Sequence, residues 1–131
     1  MTPEQQILES CHTIALVGLS SNPLRPSYEI AQFMQRRGYK IIPVNPQEVE
    51  VLGERCYARL EDIPVQVDCV DVFRRPEFVP EIVESAIAIG AKAVWLQLGI
   101  SHDEAIARAE AAGLLAVQNR CLLIEHRRYI R

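Results

Sequence analysis

Long apolar runs are missing from this chain of 131 residues. Nothing approaches the roughly 18 consecutive apolar residues of a membrane-spanning helix, so no membrane role is expected. A basic surplus is missing too: the formal net charge is −3. That balance leaves no electrostatic footprint for nucleic acid, and any anion the protein binds must be met by local groups. Paired cysteines are also absent. Cys11, Cys56, Cys69 and Cys121 include no Cys-x-x-Cys, and His12, His102 and His126 share no ligand spacing with them, so reduced thiols and no metal site are expected. Cys69, in an apolar run, reads as core filler. Cys121 is followed by Glu125 and His126, which could join a thiol to a base, but nothing in the sequence brings them together and a packing role is expected. The opening Met1-Thr2-Pro3-Glu4-Gln5-Gln6 lacks the basic and apolar regions of a signal peptide, and a cytoplasmic location is expected.

Familiar nucleotide and hydrolase fingerprints fail as well. Set against G-x-G-x-x-G, the chain supplies Gly18, but Ser20 stands at the second glycine and Pro23 at the third. No Gly-Lys-Ser/Thr follows, so a Walker-type loop is excluded. Gly18-Leu19-Ser20-Ser21-Asn22 lacks the closing glycine of a nucleophile elbow, which argues against a serine hydrolase.

What is present starts at Ile14-Ala15-Leu16-Val17, a continuous apolar run that reads as a strand buried on both faces. Gly18 turns it into a polar loop through Ser21, Asn22, Pro23 and Arg25, and residues 28–37 have helix-forming composition. Such a joint brings unpaired backbone N–H groups and the positive end of a helix dipole to one spot, which favours an anion. It is equally the ordinary connection of any α/β domain.

The length suits one domain, residues 1–131, with one site. Residues 3–9 read as a covering helix with Ile7 and Leu8 inward. Ser27 is the expected N-cap of the next helix, which presents Ile30, Ala31 and Met34 and stops at Gly38. Residues 40–44 form a strand ending at Asn45-Pro46, with Asn45 where nicotinamide-type folds place a ribose-binding acid. Residues 47–68 carry at most a short edge strand and one helical turn. Residues 69–73 form a strand cut off by Arg74-Arg75-Pro76, and Val79, Ile82, Val83, Ala86 and Ile87 then make one helical face with Pro80 in its first turn. A strand at 93–96 ends at Gln97-Leu98-Gly99. Ser101 with Glu104 reads as a capping box for a helix with Ile106, Ala109 and Ala112 inward and His102 exposed. A last strand at 114–117 precedes a basic tail, 121–131, of helical composition.

Helix, glycine, apolar strand recurs at Gly38, Gly90 and Gly113. This alternation specifies an α/β, doubly wound parallel sheet with helices on both faces. The polar and proline-stiffened residues collect at the carboxyl ends of the strands, the edge where open α/β sheets take ligands.

Val17-Gly18-Leu19-Ser20 with Arg25-Pro26-Ser27-Tyr28, then Gly38-Tyr39, Pro43-Val44-Asn45-Pro46, Val72-Phe73-Arg74-Arg75-Pro76 and Trp95-Leu96-Gln97-Leu98-Gly99-Ile100, together resemble the small stand-alone CoA-binding domain proteins. These are similar in turn to the N-terminal, CoA-binding domain of the succinyl-CoA synthetase alpha subunit. The resemblance implies a Rossmann-like fold with strands ordered 3-2-1-4-5, the outer strand near Cys56 and Tyr57, and coenzyme A across the carboxyl edge. On that basis Gly18, Ser20, Ser21, Asn22 and Pro23 are assigned to the pyrophosphate loop, with Arg25 as counter-charge. Val44, Asn45 and Pro46 would border the adenosine, Phe73, Arg74 and Pro76 the opposite wall, and Gln97 the pantetheine arm, while Arg25, Arg74 and Arg75 could each instead be a solvated or ion-paired surface charge. The synthetases react through a histidine on a further domain, and none of the three histidines here matches it. The implied function is therefore non-catalytic binding of CoA or an acyl-CoA. The alternatives are a small NAD(P)-dependent oxidoreductase and a nucleotide-sensing or vestigial interaction module.

Overall fold

The structure is a computed structural model describing residues 1–130; Arg131, the end of the expected tail, lies outside them. In chain order the elements are α1 (Pro3–Ser10), β1 (Thr13–Val17), α2 (Pro26–Arg36), β2 (Lys40–Val44), β3 (Glu50–Val51), β4 (Glu54–Arg55), β5 (Cys69–Val72), α3 (Val79–Ala88), β6 (Ala93–Leu96), α4 (Asp103–Ala111), β7 (Leu115–Val117) and α5 (Leu122–Tyr129). Single 3-10 turns lie at Leu60–Asp62 and Pro76–Phe78.

Five strands form one sheet in the order β2-β1-β5-β6-β7, every neighbouring pair parallel. The outer strand implied near Tyr57 is reduced to one parallel bridge between Val44 and Tyr57, and β7 adds a strand beyond β6. The 3-2-1-4-5 arrangement is thus present with a thinned edge and one extra strand.

Alternation along each strand divides the core in two. Ile14, Leu16, Ile41, Cys69, Trp95 and Val117 pack with Ile7, Met34 and Leu122 from α1, α2 and α5. Ala15, Val17, Val44, Val70, Val72, Val94 and Leu96 pack with Val79, Val83, Ala86 and Ala109 from α3 and α4. Both faces of the central strands are therefore covered, which is why they read as apolar runs, interrupted only by Asp71 in β5.

Several local expectations are corrected. The N-cap of α2 is Arg25, which makes no side-chain cap bond, because Pro26 takes the first helical position and its fixed φ starts the helix two residues earlier. This leaves Ser27 inside the first turn. The N-cap of α4 is His102, whose Nδ1 accepts the Ala105 N–H at 3.1 Å, in place of a Ser101 capping box. His102 is drawn inward because its own N–H is held by Gln118 Oε1 at 2.8 Å. Ala105 takes the inward position expected of Ala112, which is exposed. Residues 50–55 form a hairpin rather than a lone edge strand, with Leu52 and Gly53 both at positive φ (54° and 77°), as a tight mirror-type turn requires. Leu52 is an unusual first residue for it. Gln35 Nε2 secures the turn by donating to Leu52 O at 3.1 Å.

One core residue was not anticipated. Asp71 lies in the middle of β5, in register with Leu16 and Trp95. It is 0% exposed, and neither carboxyl oxygen meets hydrogen-bonding geometry with any described group. Burial pushes its carboxyl well above the usual aspartate range, the Val72 N–H offsetting part of the effect. The native protein then keeps a proton that the unfolded chain releases, so stability is lost as pH rises above the ordinary aspartate pKa of about 4. Asp71→Asn should equal the parent in stability below that pH. Above it the variant should become the more stable, the gap widening by up to about 1.4 kcal/mol per pH unit. Urea unfolding of both proteins across pH checks this, and a pH-independent gap would mean that the native carboxyl ionises normally.

Candidate functional site

The carboxyl ends of β2, β1, β5 and β6 open on one cleft of about 890 Å³. Its position follows from topology. β1 has β2 on one side and β5 on the other, so the chain leaves β1 and β5 towards opposite faces and a crevice opens between the connections. Gly18 makes the crevice possible. It sits at φ +93°, and a Cβ there would meet Phe73 O and Arg74 Cδ, each at 3.1 Å.

Of the residues assigned from the sequence, Gly18, Ser20, Arg25, Asn45, Phe73 and Gln97 line this cleft. The others do not. Ser21, Asn22 and Pro23 are exposed on the loop above it, Asn22 Oδ1 accepting the Leu24 N–H at 3.0 Å. Val44 is buried in the core at 3% exposure and touches only a smaller hollow on the opposite face, beside Leu60. Pro46 lines a shallow hollow against the hairpin. The Arg74 guanidinium lies over the Phe78 ring, 4.3 Å from its centroid, and Arg75 faces Glu77 at 3.9 Å. Pro76 is exposed at the start of its 3-10 turn. Arg25 is left as a cleft cation with no ion-pair partner among the described residues.

Sequence reasoning missed Ser27, Ile30, Glu48, Leu98, Ile100 and Cys121, which also line the cleft. Two had a readable signal: with Pro26 taken as the first helical residue, Ser27 and Ile30 fall one turn apart on the face towards β1. Glu48 had none, since its place depends on the path of the chain after Asn45-Pro46.

The loop's backbone donors are less open than the glycine turn suggested. Gly18 N–H donates to Val44 O at 2.8 Å, Ser20 N–H to Ser27 Oγ at 3.2 Å and Asn22 N–H to Ser20 Oγ at 3.0 Å. Ser21 N–H donates to Glu48 Oε2 at 2.7 Å. That bond holds the Glu48 carboxyl below the usual glutamate range, as expected of a charge-assisted acceptor. The bend accommodates an anion, and here the anion is a side chain of the same molecule. Asn45 braces the loop from the β2 side, Nδ2 donating to Leu19 O at 3.1 Å and Oδ1 accepting Gln47 N–H at 2.9 Å.

The far end of the cleft differs in character. Gln97, Ile100 and Cys121 meet there, and Gln97 Oε1 accepts the Leu122 N–H at 3.3 Å. His126 does not join Cys121. Its ring lies edge-on to Phe33 and Tyr39, where burial lowers its pKa, with Arg37 adding to the effect. Among the described residues no His, Cys, Asp and Glu cluster could hold a metal ion, and no helix is long and apolar enough to cross a membrane.

A doubly wound parallel sheet with a glycine bend and one cleft at its switch point defines a Rossmann-like α/β protein. The chain belongs to the CoA binding domain family, whose model matches residues 12–127. It is 36% identical over 122 residues to the protein YneT of Bacillus subtilis, covering 93% of this chain and 90% of that one. It is 31% identical over 94 residues to the ADP-forming acetate–CoA ligase II of Archaeoglobus fulgidus, of which it spans 14%. Among solved structures, a protein from Pyrococcus horikoshii superposes with a TM-score of 0.95 at 41% identity, covering 100% of this chain and 94% of that one.

Gly18→Ala tests the crossing directly. Positive φ and the 3.1 Å approach to Phe73 O should together destabilise the protein by about 2 kcal/mol. Denaturant unfolding reads the loss, and an unchanged midpoint would show that the bend tolerates a side chain.

Proposed function

We propose that this protein binds coenzyme A, or an acyl-CoA, across the carboxyl edge of its sheet, and that it acts as a binder without catalysing a reaction on its own. The adenosine and phosphates would lie over β2 and β1, and the pantetheine arm would cross β5 and β6. The carrying observation is the Ser21–Glu48 contact at 2.7 Å beside the unpaired Arg25. A bend that takes a carboxylate on a backbone N–H can exchange it for a pyrophosphate, which offers more charge-assisted bonds and a counter-charge in Arg25. Family membership supports the choice of CoA as the ligand class.

Gly18, Ser20, Ser21, Arg25, Asn45, Phe73 and Gln97 carry this reading. Val44 drops out because its side chain is core, and Arg74 because it is engaged over Phe78. A nicotinamide dinucleotide fits less well, since the β2 terminus offers Asn45 with both ends of its amide already bonded and no acid in the ribose-binding position. The packing of His126 against Phe33 and Tyr39 supports a role without chemistry at Cys121 through that base. The four cysteines are free thiols, in keeping with a reducing compartment such as the cytoplasm, where we place the protein.

Titration calorimetry should show binding of CoA and none of NAD or NADP. At 100 times the dissociation constant, CoA should also add about 2.7 kcal/mol of stability. A dinucleotide that binds while CoA does not would replace this reading with an oxidoreductase. Arg25→Ala should weaken CoA about fivefold at low salt and less at high salt, as expected for an exposed charge. Equal affinity at both salts would remove Arg25 from the site. Glu48→Gln should act oppositely, tightening CoA a few-fold by removing a like charge from the phosphate position, and a weakened complex would mean that Glu48 holds the ligand instead of competing with it.

A further inference from the structure

The four thiols occupy different settings. Cys11 and Cys69 are buried in the core. Cys56 donates its S–H to Asn45 O at 3.4 Å, and burial pushes its pKa up. Cys121 alone of the four lines the cleft.

Its neighbour Gln97 is 4% exposed. Oε1 accepts the Leu122 N–H, which pins the Cys121–Leu122 turn to the end of β6, while Nε2 donates to no described group and, unlike the buried oxygens of Asp71 and Glu125, keeps access to solvent at the cleft wall. That amide donor is free to take a ligand acceptor in place of water. Ile30, Leu98 and Ile100 add apolar surface to the same cleft. This end of the cleft therefore offers one open amide donor, an apolar wall and a thiol. That is the complement of a chain that carries an amide carbonyl, then methylenes, then sulfur. β6 lies two strands from β1 in the sheet, roughly 10 Å at ordinary strand spacing, so phosphates at the β1 bend and sulfur beside Cys121 can belong to one extended molecule.

The geometry points to Cys121 as a covalent capture site at which the protein takes a disulfide of CoA and forms a protein–CoA mixed disulfide; this rests on the CoA-binding reading above. The Cys121 thiol gives up its proton and its sulfur attacks one sulfur of the bound disulfide. The carrier's S–S bond breaks as the Cys121–S–S bond forms, and the departing CoA thiolate takes up a proton. One disulfide is consumed and one made, so no other oxidant enters, and a free thiol reverses the step.

The test treats the full, pre-reduced chain with oxidised CoA and, in parallel, with cystamine, a disulfide lacking the nucleotide. Products are read by intact mass and non-reducing peptide mapping, and reduced CoA is titrated calorimetrically into the same preparation. The expected product is a gain of one CoA less two hydrogens on the Cys121 peptide. It should be reversed by dithiothreitol, be absent from Cys121→Ser and persist in Cys56→Ser. It should form at least roughly tenfold faster with oxidised CoA than with cystamine, since binding places the disulfide at the thiol. Calorimetric CoA binding with no adduct, with adduct shared equally by Cys56 and Cys121, or with equal rates for the two disulfides overturns covalent capture and leaves the binding reading in place. Absence of CoA binding together with equal disulfide rates overturns both.

Discussion

β1 is hydrogen-bonded on both sides by parallel neighbours, β2 and β5, and parallel neighbours can be reached only by crossovers that pass over a face of the sheet. The crossover to β2 runs through α2 on one face, and the chain leaving β5 enters α3 on the other. The two paths must separate above the β1 terminus, and Gly18 is where they do so. A side chain there would strike the backbone of Phe73, so the residue that shapes the bend also sets how closely β1 and β5 can end together. The cleft is the space this parting leaves, and its walls come from whatever each strand presents as it stops.

Hydrogen bonding then decides how the bend holds its shape. A bend of open N–H groups would be costly to maintain without a ligand, because unpaired donors near the protein surface lose part of their hydration. Here the donors are held by replaceable partners: the hydroxyls of Ser20 and Ser27 and the carboxylate of Glu48. The exception is Gly18, whose N–H is committed to Val44 O and so belongs to the sheet rather than to the site. The loop is preorganised in shape while its bonding groups stay exchangeable. Glu48 holds the Ser21 N–H at 2.7 Å, so any other acceptor reaching that donor would have to displace a carboxylate first.

The architecture was legible because the helix–glycine–strand units at Gly38, Gly90 and Gly113 each state the same connection, and because strands covered on both faces leave no polar alternation to misread. The carboxyl-edge location of the polar residues followed from that topology. What sequence could not supply was direction beyond the backbone. Arg25, Arg74 and Arg75 look equivalent as letters. Packing separates them, since Phe78 lies under Arg74 and Glu77 beside Arg75. The capping errors at Ser27 and Ser101 share one cause: each serine is a good cap in isolation, and each was displaced by a neighbour held more firmly, Pro26 by its ring and His102 by Gln118. Residues 47–68 were least legible because their hairpin rests on a positive φ at Leu52, which no propensity favours.

The two faces of the sheet bear unequal duties. On the α3–α4 side the buried set is aliphatic throughout, the simplest means of securing the fold. The unpartnered buried oxygens found among the described residues, on Asp71 and Glu125, belong to the other side, where Asp71 shares its strand face with Leu16 and Trp95 and where α5 packs. Residues two apart on a strand share a face, so Gly18, Phe73 and Gln97 stand one pleat above Leu16, Asp71 and Trp95. The cleft is thus the open end of the same layer that holds the buried acids. Replacing Asp71 by an apolar residue would relieve an unfavourable burial, yet it would also change the support under Phe73, the wall between the polar and the thiol-bearing ends. Stability and site shape are coupled most directly on this face, whereas the α3–α4 face reaches the cleft through Ile100.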